Sequence, residues 1–121
     1  MLILVIDDDT DVTDSLEIFF KQNGHEVLKA YTAKDGLKLF TLHLPDVVFL
    51  DIMLPDTNGI TLLKEIKTIS SETPVVMITG YKDAEKVIGA FREGAFDCLL
   101  KPFNLDYLKN DILPKIPLRK R

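Results

Sequence analysis

Five short apolar runs recur along the chain, and between them apolar residues fall at helical spacing. Leu2-Ile3-Leu4-Val5-Ile6 is continuous, the mark of a strand covered on both faces, and it stops at Asp7-Asp8-Asp9. Any of Asp9, Thr10 or Asp11 can N-cap the helix that follows, whose face carries Val12, Leu16, Phe19, Phe20 and Asn23 before Gly24 ends it. Glu26 to Ala30 reads as a shorter strand running out into Tyr31-Thr32, and Ala33 to Leu42 as a helix with Leu37 and Phe40 inward. Val47-Val48-Phe49-Leu50 is the third strand and delivers one carboxylate, Asp51, ahead of a loop containing Pro55, Asn58 and Gly59. Ile60, Leu63, Ile66 and Ile69 mark a third helix, Pro74 to Ile78 a fourth strand ending in Thr79-Gly80, and Ala84, Val87, Ile88 and Phe91 a fourth helical stripe stopped by Gly94. Phe96 to Leu100 is a fifth strand ending in Lys101-Pro102, and Leu105, Leu108 and Ile112 mark a last helix halted by Pro114 and Pro117.

Strict alternation of buried strands with amphipathic helices predicts an α/β fold, a five-stranded parallel sheet with five helices on both faces joined by right-handed crossovers. Ligands of such open sheets bind beyond the carboxyl ends of the strands. Strand one delivers Asp7 and Asp8 there, strand three Asp51, strand four Thr79 and strand five Lys101. Strand two ends without a charge and is expected at an edge, so the polar ends are assigned to central strands converging on one mouth. Any one of these residues is more often a turn former or a helix cap. All of them at one sheet end favour a functional site.

Composition narrows the chemistry. At 121 residues the chain makes one domain, and its net charge of −4 argues against a nucleic-acid surface. One cysteine excludes an internal disulfide and a multi-thiolate metal site. No run is long enough to span a bilayer, so a soluble, cytoplasmic domain without membrane contact is expected. Only Pro117-Leu118-Arg119-Lys120-Arg121 turns basic, which sets the expected boundaries at 1–116 for the domain and 117–121 for the start of a linker or tail.

Three carboxylates and one lysine at the mouth leave two negative charges uncompensated. Carboxylates so crowded raise a pKa or recruit a cation. An all-oxygen site suits Mg²⁺, the usual choice where a phosphate shares the site. Asp51 can then attack phosphorus as a nucleophile, with Lys101 and the Thr79 hydroxyl holding phosphoryl oxygens.

Asp7-Asp8, Asp51 followed by Leu54-Pro55-Asp56-Thr57-Asn58-Gly59, Thr79-Gly80, and Gly94-Ala95-Phe96-Asp97 leading to Lys101-Pro102-Phe103 together resemble a response-regulator receiver domain, over essentially the whole chain. The Gly-Ala-Phe-Asp wording looks most like receivers of sigma-54-dependent activators. The resemblance implies the flavodoxin-like strand order 2-1-3-4-5. It implies phosphorylation of Asp51 from a phosphohistidine on a sensor histidine kinase or phosphotransfer protein. It implies Mg²⁺ on Asp8, Asp51 and the backbone carbonyl of Met53, with Asp7 holding waters, phosphoryl contacts from Thr79 and Lys101, and a cis Lys101-Pro102 bond. Such a protein is a switch rather than an enzyme, acting only on its own phosphorylation and dephosphorylation. A partner (an output domain or a second copy) is expected on the face formed by helix four, strand five and helix five, from Tyr81 to Arg92 and Leu105 to Ile112.

One departure stands out. The family usually carries Tyr or Phe three residues before the lysine, where it follows the threonine inward on activation; here that switch position holds Cys98, a small hydrophobe. The output then relies on backbone movement from Thr79 to Lys82, or on another ring such as Tyr81. Met53 and Tyr81 flank the path of an attacking water, and so bulky a pair implies slow dephosphorylation. His25 and His43 are expected at the surface. Two other readings compete. A phosphatase of the haloacid-dehalogenase type would place its nucleophile in Asp7 to Asp9, but the companion acid and threonine do not follow at that family's spacing. A flavin-binding module would want Ser, Thr and Gly after strand one, where this chain has acids.

Overall fold

The computed structural model describes residues 1–80 and 84–117; Tyr81, Lys82, Asp83, the tail from 118 onward and the side chain of Ala84 lie outside the described residues. Strands β1 (Leu2–Ile6), β2 (Glu26–Ala30), β3 (Val47–Asp51), β4 (Val75–Thr79) and β5 (Asp97–Leu100) form one parallel sheet in the order β2-β1-β3-β4-β5. They alternate with α1 (Thr10–Gln22), α2 (Ala33–His43), α3 (Gly59–Ile69), α4 (Ala84–Arg92) and α5 (Leu105–Tyr107), the last continuing through a π turn (Leu108–Ile112) and a 3-10 turn (Leu113–Lys115). The fold and order are those expected. β2 is an edge strand as expected, but β5 is the opposite edge, so Lys101 reaches the mouth from the rim of the sheet and not from its centre.

The period of two in each strand divides the core. Leu4, Ile6, Val48, Leu50, Val75 and Met77 face α2, α3 and α4, meeting Phe40, Leu63, Ile66 and Ala90. Ile3, Val5, Val47, Phe49, Val76 and Ile78 face α1 and the last helix, meeting Leu16, Phe20, Leu108 and Ile112, with the Phe20 and Phe49 rings 5.0 Å apart. Burying an aliphatic or aromatic side chain of this kind contributes roughly 1.5–3 kcal/mol.

Three expectations need correction. The stripe on α4 does not point inward as a whole: Val87 is half-buried, but Ile88 is 58% and Phe91 46% exposed, while the small Ala90 is buried. Helical spacing cannot choose between two overlapping stripes, and here the core takes Ala90 fully and Val87 in part. Leu105 is likewise exposed, leaving Leu108 and Ile112 to anchor the last helix. His25 is half-buried, its Nδ1 3.0 Å from the Met1 amine, and burial followed by that positive charge holds its pKa below the usual histidine value.

Candidate functional site

Pairing register levels the strand ends. Ile6 lies opposite Leu50, Asp51 opposite Ile78, and Thr79 opposite Leu100, so the residues that terminate four strands stand on one shelf. Asp7, one residue past β1, is kept in line by its N–H donating to the Ala30 carbonyl at 3.1 Å. Lys101, one past β5, donates its N–H to the Thr79 carbonyl at 2.8 Å, and the peptide bond that follows, Lys101-Pro102, is cis.

The side chains converge. One carboxylate oxygen from each of Asp7, Asp8 and Asp51 lies within 4.8 Å of the others. Asp8 is exposed and Asp7 fully buried; Asp51 is 7% exposed. The Lys101 ammonium donates to Asp51 Oδ2 at 3.3 Å and sits 3.1 Å from Asp7 Oδ2. The second contact is an ion pair outside hydrogen-bond alignment, so Asp7 Oδ2 is a buried oxygen with a charge beside it but no hydrogen bond. Asp7 Oδ1 accepts from the Asp9 N–H at 3.0 Å, and Asp9 itself caps α1 by accepting from Asp11 and Val12. Asp51 Oδ1 accepts from the Met53 N–H at 3.1 Å, leaving Oδ2 to face the lysine. The Thr79 side chain is buried, its hydroxyl 3.2 Å from the Gly80 carbonyl.

Electrostatics follow from this crowding. Burial pushes the Asp7 carboxyl up to about 6, with the neighbouring Asp51 charge adding to the rise and the Asp9 N–H opposing it. Burial alone would lower the Lys101 ammonium, but the carboxylates of Asp7 and Asp51 beside it outweigh burial and raise its pKa. The residues fit a hard dication. The donor set is all oxygen, an orphaned buried carboxylate oxygen points into the cluster, and the hydrogen bonds closing the β3–α3 loop (Gly59 N–H to Ile52, Leu54 N–H to Thr57) leave the Met53 carbonyl unused by either.

Two loop residues have roles that local sequence does not announce. Asp56 reaches across to α2, where its carboxylate accepts from the Ala33 and Lys34 N–H groups at 2.9 and 3.0 Å, and these hydrogen bonds hold its pKa below the usual carboxylate value. Gly59, the first residue of α3, lies so close to the end of β3 that a Cβ there would strike the Asp51 carbonyl oxygen and come within 2.9 Å of Ile52 Cα. Cys98 is half-buried and borders a cleft of about 460 Å³ shared with Val87, Leu100, Pro102 and Tyr107. Burial, then the Asp97 charge, pushes its thiol up to about 11, which leaves it protonated and inert. Met53 is 50% exposed at the rim of the mouth; Tyr81 falls outside the described residues.

A doubly wound sheet with an acidic pocket and a lysine at its carboxyl edge defines the class: a flavodoxin-like α/β domain with a receiver-type site. The chain belongs to the response regulator receiver domain family, whose model matches residues 3–113. It is the receiver domain of a two-component response regulator. It is 41% identical over 106 residues to regulatory protein AtoC of Escherichia coli, covering 88% of this chain and 23% of AtoC. It is 31% identical over 121 residues to transcriptional regulatory protein DltR of Streptococcus agalactiae, covering 52% of that protein. The chain thus spans about a quarter to a half of the length of these curated relatives. Among solved structures, the receiver domain of NtrX from Brucella abortus is 40% identical with a TM-score of 0.85, covering 88% of this chain and 91% of that one. A CheY-like receiver domain protein from Methanospirillum hungatei is 32% identical with a TM-score of 0.89, covering 95% and 92%. Among the described residues no helix is long and apolar enough to cross a membrane.

Proposed function

We propose that this receiver is a phosphorylation-operated switch in which Asp51 takes a phosphoryl group from a phosphohistidine on a sensor histidine kinase or phosphotransfer protein. The observation that carries the reading is the state of the Asp51 carboxylate, with Oδ1 held by the Met53 N–H and Oδ2 turned toward a lysine 3.3 Å away. In the transfer, Asp51 Oδ2 forms a bond to phosphorus as the phosphorus–nitrogen bond breaks. The bonding pair leaves with the imidazole, which takes up a proton, and the product is an acyl phosphate. Lys101 holds one phosphoryl oxygen, and the Thr79 hydroxyl turns from the Gly80 carbonyl to another. Asp8, Asp51 and the Met53 carbonyl would hold Mg²⁺, with Asp7 beside them to accept hydrogen bonds from waters. When bound, such an ion would supply positive charge to the phosphoryl oxygens. The chain then acts only on itself and turns over no metabolite.

For the phosphatase alternative, Asp7 is fully buried while Asp8 and Asp9 are exposed, so a strand-one nucleophile would fall on one of those two and Asp51→Asn tells the readings apart. An output domain or a second copy is the fitting partner for the face where Ile88, Phe91, Leu100 and Leu105 stand exposed.

Intact mass after incubation with acetyl phosphate tests the reading. One phosphoryl group is expected in Mg²⁺ and none in EDTA or in Asp51→Asn; uptake that survives Asp51→Asn overturns it and moves the chemistry to strand one. Met53, half-exposed over the site, hinders the attacking water, as Tyr81 is expected to do. The phosphoryl half-life is therefore expected to be minutes or longer, and decay within seconds in the same mass assay contradicts that role.

A further inference from the structure

A side-chain contact bridges the rim of the mouth between α4 and the β3–α3 loop. The Lys86 ammonium, on the first turn of α4, has among its contacts the Met53 sulfur at 3.0 Å. Met53 in turn is fixed to Asp51, two residues away, by its N–H on Asp51 Oδ1. The Cα atoms of residues two apart lie at most about 7 Å from one another, so Met53 holds the lysine head at the rim of the site that carries Asp51, and the flexible four-carbon stem lets the ammonium turn toward it. A thioether is a weak acceptor for an ammonium, whereas a phosphoryl oxygen accepts a charge-assisted hydrogen bond of roughly twice the strength of a neutral one.

Charge points the same way. Asp7, Asp8 and an acyl phosphate of nearly two charges exceed Mg²⁺ and Lys101 by about one negative charge, which one more ammonium neutralises. Meanwhile strand five contributes Cys98 and no aromatic side chain to the cleft beside α4, where the ring present, Tyr107, comes from α5.

We propose that Lys86 is a second phosphoryl-binding cation, exchanging the Met53 sulfur for an oxygen of the phosphoryl group on Asp51 and drawing the start of α4 to the site. This rests on Asp51 being the phosphoacceptor. The exchange couples α4 to phosphorylation by charge, in a chain whose strand five has no aromatic side chain to do so. Met53 marks the resting position of the lysine and Asp51 the active one.

The test uses wild type, Asp51→Asn, Lys86→Gln and Met53→Leu, each treated with phosphoramidate in Mg²⁺ and checked by intact mass. A brief pulse of an amine-acetylating ester then reports the accessibility of Lys86, with Lys34 on α2 as the reference. Phosphorylation is expected to reduce Lys86 labelling by about threefold or more in wild type and Met53→Leu, and to leave it unchanged in Asp51→Asn. Hydrogen exchange of the α4 amides, residues 85–92, is expected to slow by a similar factor in wild type. In Lys86→Gln it is expected not to change, although that variant still gains the phosphoryl mass. Unchanged Lys86 labelling on a chain that carries phosphate, or a wild-type α4 response in Lys86→Gln, overturns the proposal. Absence of phosphoryl mass in wild type instead overturns the Asp51 reading on which it stands.

Discussion

Gly59→Ala is expected to lower stability by about 3 kcal/mol and the melting temperature by about 10 °C, and to slow phosphoryl uptake at least about tenfold. The added methyl group has no flexible neighbour to displace. It meets the Asp51 carbonyl oxygen and the Ile52 Cα, both backbone of the strand end that carries the phosphoacceptor. Relief requires α3 to back away, which pulls the Gly59 N–H off the Ile52 carbonyl, now 2.6 Å distant, and opens the bridge between Met53 and Asn58. The Met53 carbonyl and the Asp51 side chain then move with it. Gly59 is thus needed for close approach of two backbones and not for an unusual φ. Thermal unfolding and a time course of phosphoryl mass check both effects; a variant with wild-type melting and rate refutes the argument.

Asp7→Asn is expected to do the opposite and make the metal-free protein more stable, by roughly 2–3 kcal/mol at pH 7.5. The folded state raises the Asp7 carboxyl to about 6, above its ordinary value of 3.8. Between those values the folded chain binds more proton than the unfolded one, so this group's contribution to stability falls as pH rises and its full cost is present above about 6. Asparagine keeps the acceptor for the Asp9 N–H and removes the charge, and Lys101 retains Asp51. The advantage of the variant should therefore shrink as pH is lowered toward 4. His25, whose pKa is lowered on folding, works in the reverse sense, its contribution falling as pH drops below 6.5. The difference between variant and wild type isolates Asp7, since both carry that histidine. Urea unfolding in EDTA at pH 4.5, 6 and 7.5 measures it, and equal stability at pH 7.5 sinks the claim. Added Mg²⁺ should close the gap by stabilising wild type more than the variant.

Much of this architecture was legible because each signal was both local and repeated. Fully buried strands read as unbroken apolar runs, and right-handed crossovers bring their carboxyl ends to one edge, so Asp7, Asp8, Asp51, Thr79 and Lys101 could be grouped without coordinates. The direction of α4 was not legible. Its apolar residues admit two stripes, and only tertiary packing buries Ala90 while leaving Ile88 and Phe91 exposed. Asp56 looked like part of a turn, because a carboxylate that caps a helix 23 residues earlier leaves no trace in its own neighbourhood. Gly59 was visible as a turn former, but the atoms that require it belong to another segment. The contact between Lys86 and Met53, separated by 33 residues, is invisible for the same reason.

The grip of Asp56 on α2 gives the mouth a mechanical polarity. On that side the β3–α3 loop is riveted by two hydrogen bonds from a charged acceptor to the start of a helix. On the other side, the side-chain contact described between it and α4 is the Lys86 ammonium on the Met53 sulfur, a weak acceptor. A force applied at Asp51 therefore meets a stiff wall toward α2 and a compliant one toward α4. Whatever loads the carboxylate, the lever swings in one direction.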